Sequence, residues 1–182
     1  MKIIKKKEKY KGKFLKIVDY DFLTKNGKKG TWETIKKKSY KRIVVIFAVT
    51  KKKELILEKT FRIPIKSFVI ELPAGLTDKK GESETTAAKR ELLEETGYLA
   101  KKVIPLFEWP LEPGSVSNMA ILFFAPDVEY VGKKGSDDTE EIEVLKVSLK
   151  KLPKFLASSH KKVPVDIKIF GAFSIIKEKG LI

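Results

Sequence analysis

ELPAGLTDKKGESETTAAKRELLEETGY, residues Glu71 to Tyr98, is the stretch from which the fold and the chemistry of this chain are read. Its second half, Glu84 to Glu95, has no Gly or Pro and is rich in helix formers. It stops before Gly97, the residue type that most readily takes the left-handed conformation past a helix end. A helix is predicted there. Within it Glu91, Glu94 and Glu95 stand at i, i+3 and i+4, so 3.6 residues per turn puts the three carboxylates on one stripe. Like charges at that spacing repel by roughly 0.2–0.5 kcal/mol per pair. A compensating cation is therefore expected, and hard divalent ions prefer carboxylate oxygens. The alternative is a solvated acidic face, since 35% of the chain is charged. Other features favour a site. Leu92 and Leu93 mark a buried side, Arg90 adjoins the acids, and an apolar strand, Ser67 to Leu72, enters the helix through the glycine loop Gly75 to Gly81. Strand, glycine loop and acidic helix together suit the holding of phosphate and metal.

The whole chain, 182 residues and 42% hydrophobic, suffices for one core with a small appendage. It contains no run of about 18 uncharged apolar residues, so no membrane-spanning helix is expected. The basic start MKIIKKKEKYKGK lacks the apolar centre of a secretion signal, and the absence of cysteine excludes disulfides and thiolate metal sites. A cytoplasmic protein with oxygen ligands is the expectation. The net charge of +15 invites a nucleic-acid reading. Against it, the lysines are spread along the chain and no aromatics recur at the spacing of a stacking platform. Of the 39 basic residues only Arg42, Arg62 and Arg90 are arginine, the side chain suited to bidentate contact with carboxylate or phosphate. Arg90 lies within the decisive stretch and Arg62 just before it; Arg42 opens an apolar strand and reads as structural or accidental. His160 stands alone, which argues against a histidine metal cluster, and reads as a surface cap.

Phe14–Phe22 and Thr31–Ile35 read as strands joined by a tight Asn26-Gly27 turn. Residues 1–40 are expected to form a small antiparallel unit too meagre to stand alone, and 41–182 the main domain. Ile43–Val49 is a continuous apolar run, as in a strand covered on both faces. Glu54–Arg62 returns beside it. Lys102–Trp109, Met119–Ala125 and Glu141–Leu149 follow as strands, and Leu152–His160 and Asp166–Lys177 as helices. The class is α/β, a sheet with helices on either side.

Glu82, then seven residues, then Arg90-Glu91-Leu92-Leu93-Glu94-Glu95-Thr96-Gly97-Tyr98 resembles the Nudix box, the signature of Nudix hydrolases. Six residues rather than five separate Gly75 from Glu82, read as an insertion at Lys79-Lys80. Glu71-Leu-Pro-Ala-Gly75 resembles the ADP-ribose and ADP-sugar pyrophosphatase branch. The resemblance implies a Nudix α/β/α sandwich with a mixed central sheet plus a small N-terminal antiparallel β-sheet. It implies metal-dependent hydrolysis of ADP-ribose or a related ADP-sugar to AMP and a sugar phosphate. Mg²⁺ or Mn²⁺ would be held by Glu91 and Glu95 with the carbonyl of Ala74, joined by Glu94 and Glu82, and Arg90 would orient these carboxylates. Arg62 would hold phosphate, and Glu71 and Gly75 belong to the substrate site.

A strand tryptophan ordinarily anchors a core. The resemblance instead places Trp32 against adenine across a homodimer interface, and Pro113 and Gly114 in a loop shaping the substrate pocket. It also implies a catalytic carboxylate from the loop 132–141, here assigned to Glu140, with Asp138, Glu141 and Glu143 as alternatives. Another nucleoside diphosphate sugar, a catalytically weak nucleotide sensor and nucleic-acid binding remain as competing readings.

Overall fold

The structure, a computed structural model, describes residues 1–37, 42–133, 141–159 and 163–182. The chain opens with an antiparallel sheet of β1 (Lys2–Lys11), β2 (Leu15–Leu23) and β3 (Lys29–Lys37). Strand β1 escapes the sequence reading because all ten of its residues are exposed. Neither face needs the alternation by which a strand is recognised, and the backbone ladder to β2 alone defines it. The β2–β3 turn also differs from expectation. Leu23 pairs with Lys29, and Thr24 N–H donates to the Lys28 carbonyl at 2.9 Å, so the loop has five residues. Only Gly27 in it takes a positive φ, 77°, whereas a two-residue turn of type I′ needs two such residues. In these first 37 residues Val18 is the only buried side chain. The sheet is tied to the rest of the chain by Ile35 N–H, which donates to the Ser115 carbonyl at 2.8 Å.

Strand β4 (Ile43–Thr50) forms the centre of the second sheet and is buried from Val44 onward. Lys51–Lys53 turn the chain, Lys53 at φ 57°, into β5 (Glu54–Arg62). Next come β6 (Ser67–Glu71), β7 (Ala74–Leu76), α1 (Glu84–Thr96) and β8 (Tyr98–Leu99). They are followed by β9 (Ile104–Pro110), β10 (Met119–Tyr130), β11 (Ile142–Ser148), α2 (Leu152–Ser159) and α3 (Lys168–Glu178). Strand β10 runs parallel to β4, while β5, β7, β9 and β11 pair antiparallel, so the sheet is mixed. Alternate residues of β4 enter two cores. Val45, Phe47 and Val49 pack with Leu152, Leu156, Ile169 and Ile176 of α2 and α3, whereas Val44, Ile46 and Ala48 pack with Ala87, Ala88 and Leu92 of α1. This is the expected α/β/α sandwich. Among the described residues no helix is long and apolar enough to cross a membrane.

The site is prepared by a fork in this sheet. One edge of β4 is shared: Ile43–Val45 pair with β7, and Ala48 and Val49 pair with β5. Beyond Ile56, β5 leaves β4 and pairs with β6, bringing Glu58 opposite Glu71. The chain crosses the fork through Leu72 and Pro73, whose carbonyl accepts from Ile46 N–H at 2.8 Å. Helix α1 lies over this side. It is capped by Ser83, whose hydroxyl accepts from Thr86 N–H at 3.1 Å, and closed by Gly97 at φ 76°.

Candidate active site

Arg90 is the hub of the acidic face. Its guanidinium donates to both oxygens of Glu82 at 2.8 and 2.9 Å, to Glu94 at 2.9 Å and to the Leu76 carbonyl at 3.1 Å. Glu91 is also 2.9 Å away. The Arg90 side chain is only 16% exposed, so these charge-assisted bonds are worth more than surface pairs. Hydrogen bonding to Arg90 pulls the Glu82 carboxyl below its usual range, and the same pairing raises the guanidinium. The extra loop residue does not disturb this pairing. Gly81, at φ 81° with open space around its Cα, absorbs the turn, and Glu82 N–H closes on the Lys79 carbonyl at 3.2 Å.

The other carboxylates rest on the strand-to-loop crossing. Glu91 Oε1 accepts from Leu76 N–H at 3.0 Å, and a Cβ added at Gly75 would overlap the Glu91 carboxyl. Glycine is therefore a requirement of close approach at Gly75. Burial raises the Glu91 carboxyl. Glu95 Oε2 accepts from Ala74 N–H at 3.1 Å. Its carboxyl also meets that of Glu58, a β5 residue that the sequence reading did not single out. Burial pushes both carboxyls of this pair upward; the nearby charges of Glu58 and Glu91 raise Glu95 further, and that of Glu71 raises Glu58, while the hydrogen bond to Glu95 pulls Glu58 back down. The signal was present in the sequence: Glu58 interrupts the apolar run Leu55-Ile56-Leu57 at a position that alternation turns toward α1.

Arg62 donates to Glu71 at 2.6 and 3.1 Å, a forked pair beside the crossing. These groups line a cleft of about 650 Å³ together with Ala74, Gly75 and three lysines, Lys37, Lys79 and Lys168. Carboxylates and cations are interleaved along its lining, Arg90 among Glu91 and Glu94, Lys79 at 3.5 Å from Glu94, and Arg62 on Glu71. Trp32, Pro113 and Gly114 lie elsewhere, in a recess of about 370 Å³ lined by none of the same residues. Trp32 is 51% exposed, and its indole N–H donates to the Gly114 carbonyl at 2.6 Å. The ring is thus fixed at its edge and open over its surface.

Glu140 and Asp138 lie outside the described residues, as does His160. Of the alternatives, Glu141 lines a hollow beside Arg62 and Pro64, while Glu143 pairs with Lys59 at 2.7 Å on the opposite face from Glu58. Arg42 ties the start of α1 to β9 through Glu84 at 3.0 Å and Glu108 at 2.9 Å, a structural role as expected.

The NUDIX domain family matches residues 39–166. This chain belongs to the Nudix family. Its relatives include the ADP-ribose pyrophosphatase of Bacillus subtilis (strain 168), 34% identical over 158 residues that cover 86% of this chain and 83% of that protein. The GDP-mannose pyrophosphatase of Escherichia coli O9:H4 (strain HS) is 31% identical over 143 residues, 71% of each chain. A crystal structure of an ADP compounds hydrolase superposes with a TM-score of 0.83 at 21% identity, covering 98% of this chain and 94% of that one, and so shares the fold.

Nudix hydrolases generally need a divalent metal. The donor set of this Nudix chain suits a hard cation, being carboxylate and carbonyl oxygen on the lining of the cleft, with Glu91 seated against Gly75. Among the described residues no three acidic side chains converge as a chelate. Arg90 and the amides of Leu76 and Ala74 engage Glu91, Glu94 and Glu95 instead.

Proposed function

We propose that this Nudix hydrolase cleaves the pyrophosphate bond of ADP-ribose or a related ADP-sugar, giving AMP and a sugar phosphate. The observation that carries this reading is the cleft in which Glu91, Glu94 and Glu95 face Arg62, Lys37, Lys79 and Lys168. A dianionic diphosphate needs cations around its oxygens, and a divalent ion needs carboxylates; the cleft offers both. The 34% identity to an ADP-ribose pyrophosphatase supports the substrate class.

Glu91 and Glu95, with the Ala74 carbonyl, would hold Mg²⁺ or Mn²⁺, with Glu94 at the rim. When bound, the ion supplies charge neutralisation for the diphosphate and activation of the attacking water. Arg90 sets the positions of Glu91 and Glu94. Glu82, with both oxygens on Arg90, anchors that guanidinium. Arg62, steered by Glu71, binds a phosphate oxygen, and a carboxylate of the loop 132–141, assigned to Glu140, orients the water. Trp32 stacks on the adenine, with Pro113 and Gly114 shaping its surroundings. Since the tryptophan recess and the acidic cleft are distinct in one chain, a homodimer formed through residues 1–40, with adenine held across the interface, brings both to one substrate. A cytoplasmic setting accords with a cysteine-free chain that uses oxygen ligands.

Phosphate-coupled turnover of ADP-ribose, other ADP-sugars, GDP-mannose and nucleoside triphosphates, each with Mg²⁺, Mn²⁺ or EDTA, tests the reading. Metal-dependent preference for ADP-ribose or an ADP-sugar is expected. Preference for GDP-mannose would move the chain to another nucleoside diphosphate sugar, and nucleotide binding without turnover of any substrate would make it a sensor.

A further inference from the structure

Glu58 has no counterpart in the Nudix box, yet it lies against one of the box's own carboxylates. Alternation along β5 puts Ile56, Glu58 and Thr60 on the side covered by α1, and Glu58 is 3% exposed. An ionisable group at such a depth is retained at a cost of several kcal/mol unless something offsets its charge. The neighbours increase this demand. Glu71 stands directly opposite in the strand register, and Glu95 is in contact from α1. Of the nearby guanidiniums, Arg62 turns to Glu71 and Arg90 serves Glu82, Glu91 and Glu94. Among the described residues neither Glu58 Oε1 nor the adjacent Thr60 Oγ1 has a hydrogen-bond partner, and both are buried. Two unpartnered hard oxygens therefore lie on the α1-facing side of β5, and one of them, Glu58 Oε1, belongs to the carboxylate that meets Glu95.

We propose that Glu58 is a further ligand of the divalent cation, supplying a buried carboxylate oxygen from the sheet side of Glu95, with the Thr60 hydroxyl beside it. This rests on the pyrophosphatase reading only in placing a divalent ion at Glu91 and Glu95. Helix α1 would then supply Glu91 and Glu95 and strand β5 would supply Glu58, three carboxylates that have to draw together to form a chelate. The ion's charge offsets the crowding of carboxylates around Glu58 and Glu95 that the charges of Arg62 and Lys133 offset only in part.

The test is Mn²⁺ titration of the EDTA-stripped full chain, with free Mn²⁺ read by electron paramagnetic resonance and the Mn²⁺-induced rise in Tm read in parallel. Wild type, Glu58→Gln, Glu58→Asp and Glu95→Gln are compared. Glutamine keeps the shape and can still hydrogen-bond Glu95, so it removes only the ligating charge. The expected result is a tenfold or greater weakening of Mn²⁺ binding in Glu58→Gln, a reduced Tm rise, and affinity closer to wild type in Glu58→Asp. Wild-type affinity in Glu58→Gln, alongside weakened binding in Glu95→Gln, would overturn the assignment and leave Glu58 as a hydrogen-bonding neighbour; the pyrophosphatase reading would stand. Failure of the wild type itself to bind Mn²⁺ would overturn both.

Discussion

The two ends of the acidic face of α1 solve the same electrostatic problem differently. At the Arg90 end, Glu82, Glu91 and Glu94 gather on one guanidinium and are held at about 2.8–2.9 Å by the protein's own cation. At the Glu95 end, two buried carboxyls meet, and only the Ala74 amide reaches Glu95. The first end is a finished clamp that fixes geometry. The second is left electrostatically incomplete, and on the proposed reading that incompleteness is what a divalent ion relieves. This site thus combines a half held by the chain's own cation with a half that the proposed reading makes dependent on a bound ion.

The largest effect should come from breaking the rigid half. Arg90→Ala leaves three carboxylates facing one another around a buried space, and loss of one member of such a network costs about 3–5 kcal/mol. Chemical denaturation should show that loss together with abolished turnover. A stability change below about 0.5 kcal/mol, as at an ordinary surface site, would erase the distinction between the two ends. Glu95→Gln acts on the other half. It removes a ligand charge but not a fold contact, so kcat should fall by about 10²–10³-fold, the size of a lost electrostatic group, with Tm nearly unchanged. Full activity in this variant would remove the cation from the Glu95 end.

Trp32→Ala probes a region outside both halves. Loss of one base–aromatic stack, about 1–3 kcal/mol, should raise KM for ADP-ribose roughly tenfold or more with little change in kcat. An unchanged KM would return Trp32 to a packing role between β3 and the 113–117 loop. The smallest effect is in pH dependence. Burial and neighbouring carboxylates, Glu71 for Glu58 and Glu58 with Glu91 for Glu95, raise the two carboxyls above their unfolded values near pH 4. The folded protein then binds more protons than the unfolded chain above that pH, so the sign of the linkage is negative. In EDTA, the contribution of this pair to stability is fully present at the acid end and declines as pH rises through the raised values. Glu58→Gln should flatten the decline, and saturating Mn²⁺ should reverse part of it. Tm measured from pH 5 to pH 8 in parallel for both proteins checks this; identical slopes would assign the dependence to other groups.

Local chemistry was the legible part. The helix predicted over Glu84–Glu95 spans Glu84–Thr96, because capping by Ser83 and Gly97 and the absence of breakers are properties of neighbouring residues. Strand β5 falls at its predicted bounds and β4, β9 and β11 within two residues, since apolar residues recur along them, whereas β10 runs five residues past the predicted Ala125. Strands β7 and β8, of three and two residues, are too short to show a period, and exposed β1 has none to show. Glu91, Glu94 and Glu95 were readable as a stripe because a helix turns a spacing into a direction.

Sequence alone therefore determined the helix, its acidic stripe, the Nudix signature and the placing of two of the three arginines, Arg62 and Arg90, at or beside that stretch. Tertiary structure alone decided which carboxylate each arginine holds, that Glu58 meets Glu95, and that Trp32 and the acidic cleft occupy separate recesses. Those facts depend on where β5 leaves β4 and on the register that sets Glu58 opposite Glu71. Strand pairing between residues distant in the chain has no local signature, since a shift of one residue would turn Glu58 to the other face and leave the sequence unchanged.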